Sequence, residues 1–202
     1  MDEPRSTPRR HHRPIVRTDA FFDDRTGADP AAMREAGELA ATVLVRGVRR
    51  SGDEVLIDRV VRLAETEGLE VLADIWSGCP SDSLAGTLWR LYLLTSWVRS
   101  NPQSVAEEFR AGRDTAQAAG VVAGIADPPG PEQVMVMIDE VLHGIVRGDF
   151  VDVLHRAAAF AHVVATGRAH LGHASHAETV RMLQLAEQLE AASRLESRGA
   201  LV

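Results

Sequence analysis

Residues 82–99 read DSLAGTLWRLYLLTSWVR, and this stretch decides the fold. Turned at about 100° per residue, Leu84, Leu88, Leu91, Thr95 and Val98 fall on one line. The opposite side, with Trp89, Leu93 and Trp97, is apolar too. A helix that is hydrophobic nearly all round is one buried by neighbours on several sides. Asp82 or Ser83 stands where a side-chain oxygen can accept from a free backbone N–H at the helix start. Asn101-Pro102 ends the segment, because the residue before a proline is pushed out of the α region. Arg90 and Arg99 are the only charges inside, and the run between them is shorter than the roughly 20 apolar residues of a bilayer span. The stretch is therefore expected to be the central post of a helical bundle, with no membrane association and no open cleft around it.

Arg90 lies on the Leu93–Trp97 side. If that side is covered, its guanidinium needs a carboxylate, since an unpaired buried charge is very costly. If it lies at the helix margin, its stem covers apolar surface while its head reaches water. The marginal position is the expectation.

Working outward, the same helical rhythm recurs. Asp29-Pro30 signals a first helix, a cap residue followed by proline at the first helical position. Its inward stripe is Met33, Ala36, Ala40, Val43, Leu44 and Val48, and Ser51-Gly52 stops it. Asp53 opens a second, with Leu56, Ile57, Val60, Val61 and Ala64 inward. A third, from Leu69 to about Trp76, carries Leu72 and Trp76 on one face. After the central helix, Val105, Phe109, Gly112, Ala116 and Ala119 share a face of small residues that permits close helix approach. The stretch from Gly120 to Ile125 is ambiguous between frayed helix and extended chain, and residues 126–131 are a Pro/Gly loop. Pro131 opens a helix with Val134, Met137, Ile138, Val141, Leu142 and Ile145 inward. Gly148-Asp149 recaps into one with Phe150, Val153, Leu154, Ala157, Phe160, Ala161 and Val164 inward, expected to end at Gly167. The last helix runs from about Ser175 to Glu196, with Met182, Leu185, Ala186 and Leu189 aligned and a Glu190–Arg194 pair on its solvent side. The fold class is all-α, a single bundle of about seven or eight helices over 29–202.

Residues 1–28 are expected to form a disordered basic arm. Pro4, Pro8 and Pro14 break helices there, and Arg5, Arg9, Arg10, Arg13 and Arg17 outnumber Asp2 and Glu3. The whole chain has a formal net charge of −7, so a basic arm leads an acidic body. Such an arm can touch nucleic acid or an acidic protein surface, but without interleaved aromatics the signal is weak and the acidic body argues against a nucleic-acid-binding domain. A flexible leader that folds onto its own acidic body or does nothing is therefore the expectation.

All 22 Lys+Arg residues are arginine. Without lysine there is no Schiff-base chemistry, no Walker A loop and no kinase-type ATP lysine. Cys79 is the single cysteine, so neither an intrachain disulfide nor a cysteine-based zinc site can form. No charged-then-apolar leader opens the sequence, and a cytoplasmic location is expected.

Candidate ligands concentrate in the C-terminal third. Glu140-Val-Leu-His143 and Asp152-Val-Leu-His155 repeat a carboxylate–histidine spacing used in ferritin-like di-iron helices. However, His143 falls on the outer face when Val141 is core, and the two further glutamates of that scheme are missing. His155 and His162 share a face about 10 Å apart, too far for one ion. His170, His173 and His176 form a denser cluster, with Glu178 as the nearest further ligand, and could take up zinc or nickel. A glycine and a loop separate them, which favours a solvated connection. No nucleophile elbow, dinucleotide fingerprint or His-Glu-x-x-His motif is present.

The run from Glu54-Val-Leu-Ile-Asp-Arg-Val-Val-Arg-Leu-Ala64 through Leu88-Trp-Arg-Leu-Tyr-Leu-Leu94 resembles uncharacterised all-helical proteins of actinobacteria. The resemblance extends from the first helix to Arg113, includes no functional motif and implies no activity.

The sequence by itself assigns no function. The leading expectation is a non-catalytic interaction or regulatory protein that binds a protein partner or itself, without a cofactor. Trp89 or Trp97, with Arg90 beside them, would anchor such binding if exposed; burial of both tryptophans in the core is the competing expectation. The alternatives are a metal-binding protein or enzyme using the histidine cluster, and a nucleic-acid-associated regulator using the arm.

Overall fold

The computed structural model describes residues 30–47, 69–118, 128–144 and 149–202. The arm, the helix expected after Asp53 and the stretch from Gly120 to Ile125 lie outside them. The described residues form seven helices and no strand: α1 (Pro30–Arg46), α2 (Leu69–Trp76), α3 (Leu84–Ser100), α4 (Pro102–Ala118), α5 (Pro131–Leu142), α6 (Phe150–Leu171) and α7 (His176–Ser197). None of these helices is long and apolar enough to cross a membrane.

The central stretch is α3, and it packs against α1, α2, α4, α5 and α7. Leu84, Leu88, Leu91 and Val98 are fully buried, as their alignment requires, and Thr95 is buried with them. Thr95 avoids an orphaned hydroxyl by donating to the carbonyls of Leu91 and Tyr92. The start of α3 is secured from four directions. Leu84 N–H donates to the Val202 carbonyl at 2.8 Å, and Ala85 N–H to Glu38 Oε2 at 3.0 Å. Gly86 N–H donates to Ser83 Oγ and Thr87 N–H to the Ser83 carbonyl. Ser83 is thus the cap, and the donors that a helix start leaves unpaired are all met.

A second framework is built on α6, which packs along α4 and α7. Two glycines set its distance from α4. A Cβ on Gly112 would stand 1.9 Å from the Val163 carbonyl oxygen, and one on Gly167 would stand 1.8 Å from that of Glu108. The small-residue face expected on α4 does allow backbone to meet backbone, at Gly112. Gly167, expected to end its helix, instead lies inside α6 because the crossing needs no side chain there. The helix stops a turn later at Gly172, whose φ of 65° suits the left-handed cap.

The inward stripe of α1 is shifted from expectation. Ala40, Val43 and Leu44 are buried as expected, but Ala36 is exposed, and Gly37 and Ala41 face the core in its place. Gly37 is there because α2 comes close: the Trp76 indole N–H donates to the Gly37 carbonyl at 3.1 Å. Trp76 is completely buried.

Candidate tryptophan–arginine groove

One face of α3 is left partly uncovered, contrary to the expectation that neighbours enclose it all round. Trp89 and Trp97 pack against the core with only part of each ring, and Leu93 between them is 40% exposed. The physical reason lies in helix placement: α1, α2 and α5 pack against α3, and on the tryptophan side α7 and Arg168 of α6 supply a facing wall without closing over it. Between α3 and α7 runs a half-open groove of about 490 Å³. That volume is in the range of sites that take ligands or anchoring side chains.

From α3, Trp89, Arg90, Leu93, Leu94 and Trp97 line it, and α6 contributes Arg168. From α7 come Arg181, Met182, Gln184, Leu185 and Gln188, which recur at helical spacing on one face, and Glu178 at the end. Trp89 stacks on Tyr92 with ring centroids 5.7 Å apart, which fixes its indole. The tryptophans are eight residues apart, about 12 Å along the axis.

Arg168 holds the far end together. Its Nε donates to Glu108 Oε2 at 2.8 Å, and both side chains are buried. The guanidinium lies 4.4 Å from the centre of the Trp97 ring, a cation–π contact. Its Nη1 reaches the Glu178 carbonyl at 3.4 Å. One residue thereby ties α6 to α3, α4 and α7, and sets the face that Trp97 presents.

Arg90 is half-buried, between the two positions expected for it. Nε donates to Gln188 Oε1 and Nη1 to the Gly86 carbonyl, each at 2.6 Å. Burial pushes its pKa down, against a weaker upward pull from the Asp82 carboxylate. No carboxylate lies within ion-pair distance of it among the described residues.

The lining is suited to stacking, apolar contact and recognition of an anion. Its one carboxylate, Glu178, is exposed, and hydrogen bonds from the Ser175 hydroxyl and Ser175 N–H hold its carboxyl below the usual range. It stays ionised near neutrality, which suits a capping box and not a proton donor. Cys79 is buried away from the groove, and burial pushes its thiol up, away from nucleophilic character.

The other site residues expected from the sequence are scattered. His170 is in the last turn of α6, His173 in the connection and His176 at the start of α7, all exposed. Among the described residues no group of three or more His, Cys, Asp or Glu side chains is close enough to hold a metal ion. Glu178, expected as a fourth ligand, is committed to Ser175. His143 Nδ1 sits 2.7 Å from the Asp139 carbonyl, and His162 Nε2 lies 3.9 Å from Glu190 Oε2. Arg5, Arg9, Arg10, Arg13 and Arg17 lie outside the described residues.

Reading the sequence missed Arg168, Glu108, Arg181 and Gln188. Arg168 carried a signal: it continues the Phe160–Val164 stripe at i+4, and a charge on an inward stripe has to find a buried partner. Nothing in the spacing of Gln188 or Arg181 marks either, because the groove's other wall comes from far away in the chain: Gln188 meets Arg90, 98 residues earlier.

No family model, no curated protein and no solved structure matches this chain. The resemblance noted from the first helix to Arg113 therefore lends it no activity.

Proposed function

We propose that this chain is a non-catalytic helical interaction protein that seats a protein partner, or a second copy of itself, in the groove between α3 and α7. The observation that carries this is Leu93, 40% exposed between two part-covered tryptophans on the central helix. An apolar face that a chain leaves uncovered in its own fold marks an interaction site when it is contiguous and rimmed by polar groups. Here Arg90, Arg181, Gln184 and Gln188 form the rim. Tryptophan and arginine are the residues most favoured at binding hot spots. Two helices with a trough between them offer a helical partner a place for side chains at i, i+3 or i+4 and i+7.

Leu93→Asp puts a charge at the centre of the trough while leaving the buried side of α3 untouched. The variant should keep its helical circular dichroism and lose binding by roughly 30-fold or more, the scale of a hot-spot residue. If the occupant is a second copy, sedimentation of the native chain shows mass rising with concentration, and the variant stays a single chain. If it is another protein, affinity purification from the source cells retains a polypeptide that the variant does not. A single-chain mass at every concentration, with identical retained proteins for both, would contradict the proposal.

A further inference from the structure

We infer that the groove takes an amphipathic helix of a partner protein, with a carboxylate of that helix bound by Arg90. This rests on the groove being an interaction site and adds the chemistry of its occupant.

Three other described arginines are buried or half-buried, and each faces a carboxylate. Arg46 pairs with Glu196, Arg156 with Asp152 at 3.8 Å and Arg168 with Glu108 at 2.8 Å. Arg90 is the exception. Its Nε and Nη1 are held by neutral oxygens, from Gln188 and Gly86. Its Nη2 has no protein partner among the described residues. The two bonds clamp the guanidinium on the groove wall, so a free edge is presented at little cost in side-chain entropy. Arg181 adds a second cation on the same α7 face as Leu185 and Gln188, and among the described residues it forms no ion pair. Glu178 answers part of its charge through space. Arg168 is neutralised by Glu108, whereas Arg90, answered only through space by the Asp82 carboxylate, and Arg181 form no ion pair among the described residues; of these two, Arg90 is the more buried.

The surroundings select what carries the anion. Leu93, Met182 and Leu185 give the same groove apolar lining. The chain as a whole is negative, at −7, which opposes a polyanion such as nucleic acid or an anionic bilayer. A single carboxylate among apolar side chains at helical spacing satisfies both conditions, and one partly desolvated pair then specifies register along the trough.

The test is a library of displayed helical peptides, selected against the full chain and against its Leu93→Asp, Arg90→Gln and Arg90→Lys variants. Peptides enriched on the native chain should place Asp or Glu beside apolar residues at i±3 or i±4. For a synthesised winner followed by tryptophan fluorescence, amidating that acid or introducing Arg90→Gln should each weaken binding about tenfold or more. The two changes together should cost little more than either alone. Arg90→Lys should recover part of the loss, since it keeps the charge without the fork. Winners lacking an acid, or unaffected by Arg90→Gln but lost with Leu93→Asp, overturn this inference and leave the groove as an interaction site. No enrichment over Leu93→Asp overturns this inference, and together with a single-chain mass at every concentration it overturns the groove as an interaction site too. Full displacement of the peptide by decanoate at equal concentration assigns the groove to a small amphiphile, and a dimer dissolved by Leu93→Asp assigns it to a second copy; either result overturns the helix.

Discussion

Arg168 is the residue on which the groove's geometry turns. Its charge is buried with Glu108 at a helix crossing, beneath the ring of Trp97. Removing one member of such a pair leaves an uncompensated charge, which costs more than the pair contributes. Glu108→Ala should therefore destabilise the protein by roughly 3–5 kcal/mol in urea unfolding. At about 2–4 °C per kcal/mol for a chain of this size, Tm should fall by on the order of 10 °C. The double variant Glu108→Leu, Arg168→Met should recover most of that loss, because apolar groups of similar volume replace the pair. A double variant as unstable as Glu108→Ala would mean that Arg168 acts mainly through Trp97. Part of this was legible locally, since Arg168 continues the inward stripe of α6 and Glu108 lies between Val105 and Gly112 on the inward face of α4; that the two would meet was not.

At the scale of elements, the decisive contact is α4 against α6. Gly112 and Gly167 let the two backbones touch, and the atoms that added methyl groups would strike are carbonyl oxygens of the opposing helix. Backbone cannot rotate aside as a side chain can, so either helix must shift. Gly167→Ala and Gly112→Ala should each lower stability by roughly 1–3 kcal/mol or more by overpacking. Gly172→Ala serves as the comparison, since nothing stands near its Cβ position and only the left-handed φ of 65° is strained. The expected order in thermal melts is a larger loss at Gly167 than at Gly172; the reverse order would show that the crossing relaxes easily. The glycine of α4 was visible in the sequence as part of a small-residue face. The glycine of α6 was misread as a terminator, because a glycine ending a helix and a glycine admitting a neighbour look alike until the neighbour is known.

Across the whole molecule, the ends of the described chain are fastened onto the start of the central helix. Arg46 of α1 pairs with Glu196 of α7 and donates to the Leu201 carbonyl at 3.2 Å. Leu201 is buried, and the Val202 carbonyl accepts from Leu84 N–H. Hydrogen bonds to charged groups contribute about 1.5–3 kcal/mol, so this clamp is a sizeable part of the stability of a small domain. Arg46→Ala should release residues 198–202 and speed hydrogen exchange at Leu84 by about tenfold or more. Gly86, whose N–H is held by Ser83 within the same turn, should change far less. Equal effects at both amides would mean that the whole start of α3 had loosened, and no effect at either would remove the clamp from the account.

The sequence alone determined that this chain is helical, where most helices start and which faces are apolar. Those are consequences of local chemistry: a 3.6-residue period, capping at Ser83 and Ser175, and prolines at 102 and 131. It did not determine which apolar face would stay uncovered, or that Arg90 would come to rest among neutral oxygens. Both depend on how far α7 lies from α3, and that distance is set by packing between segments far apart in the chain, chiefly α6 against α4 and α7. Periodicity shows that a face is greasy; only the arrangement of the other helices decides whether the protein covers it or leaves it for a partner.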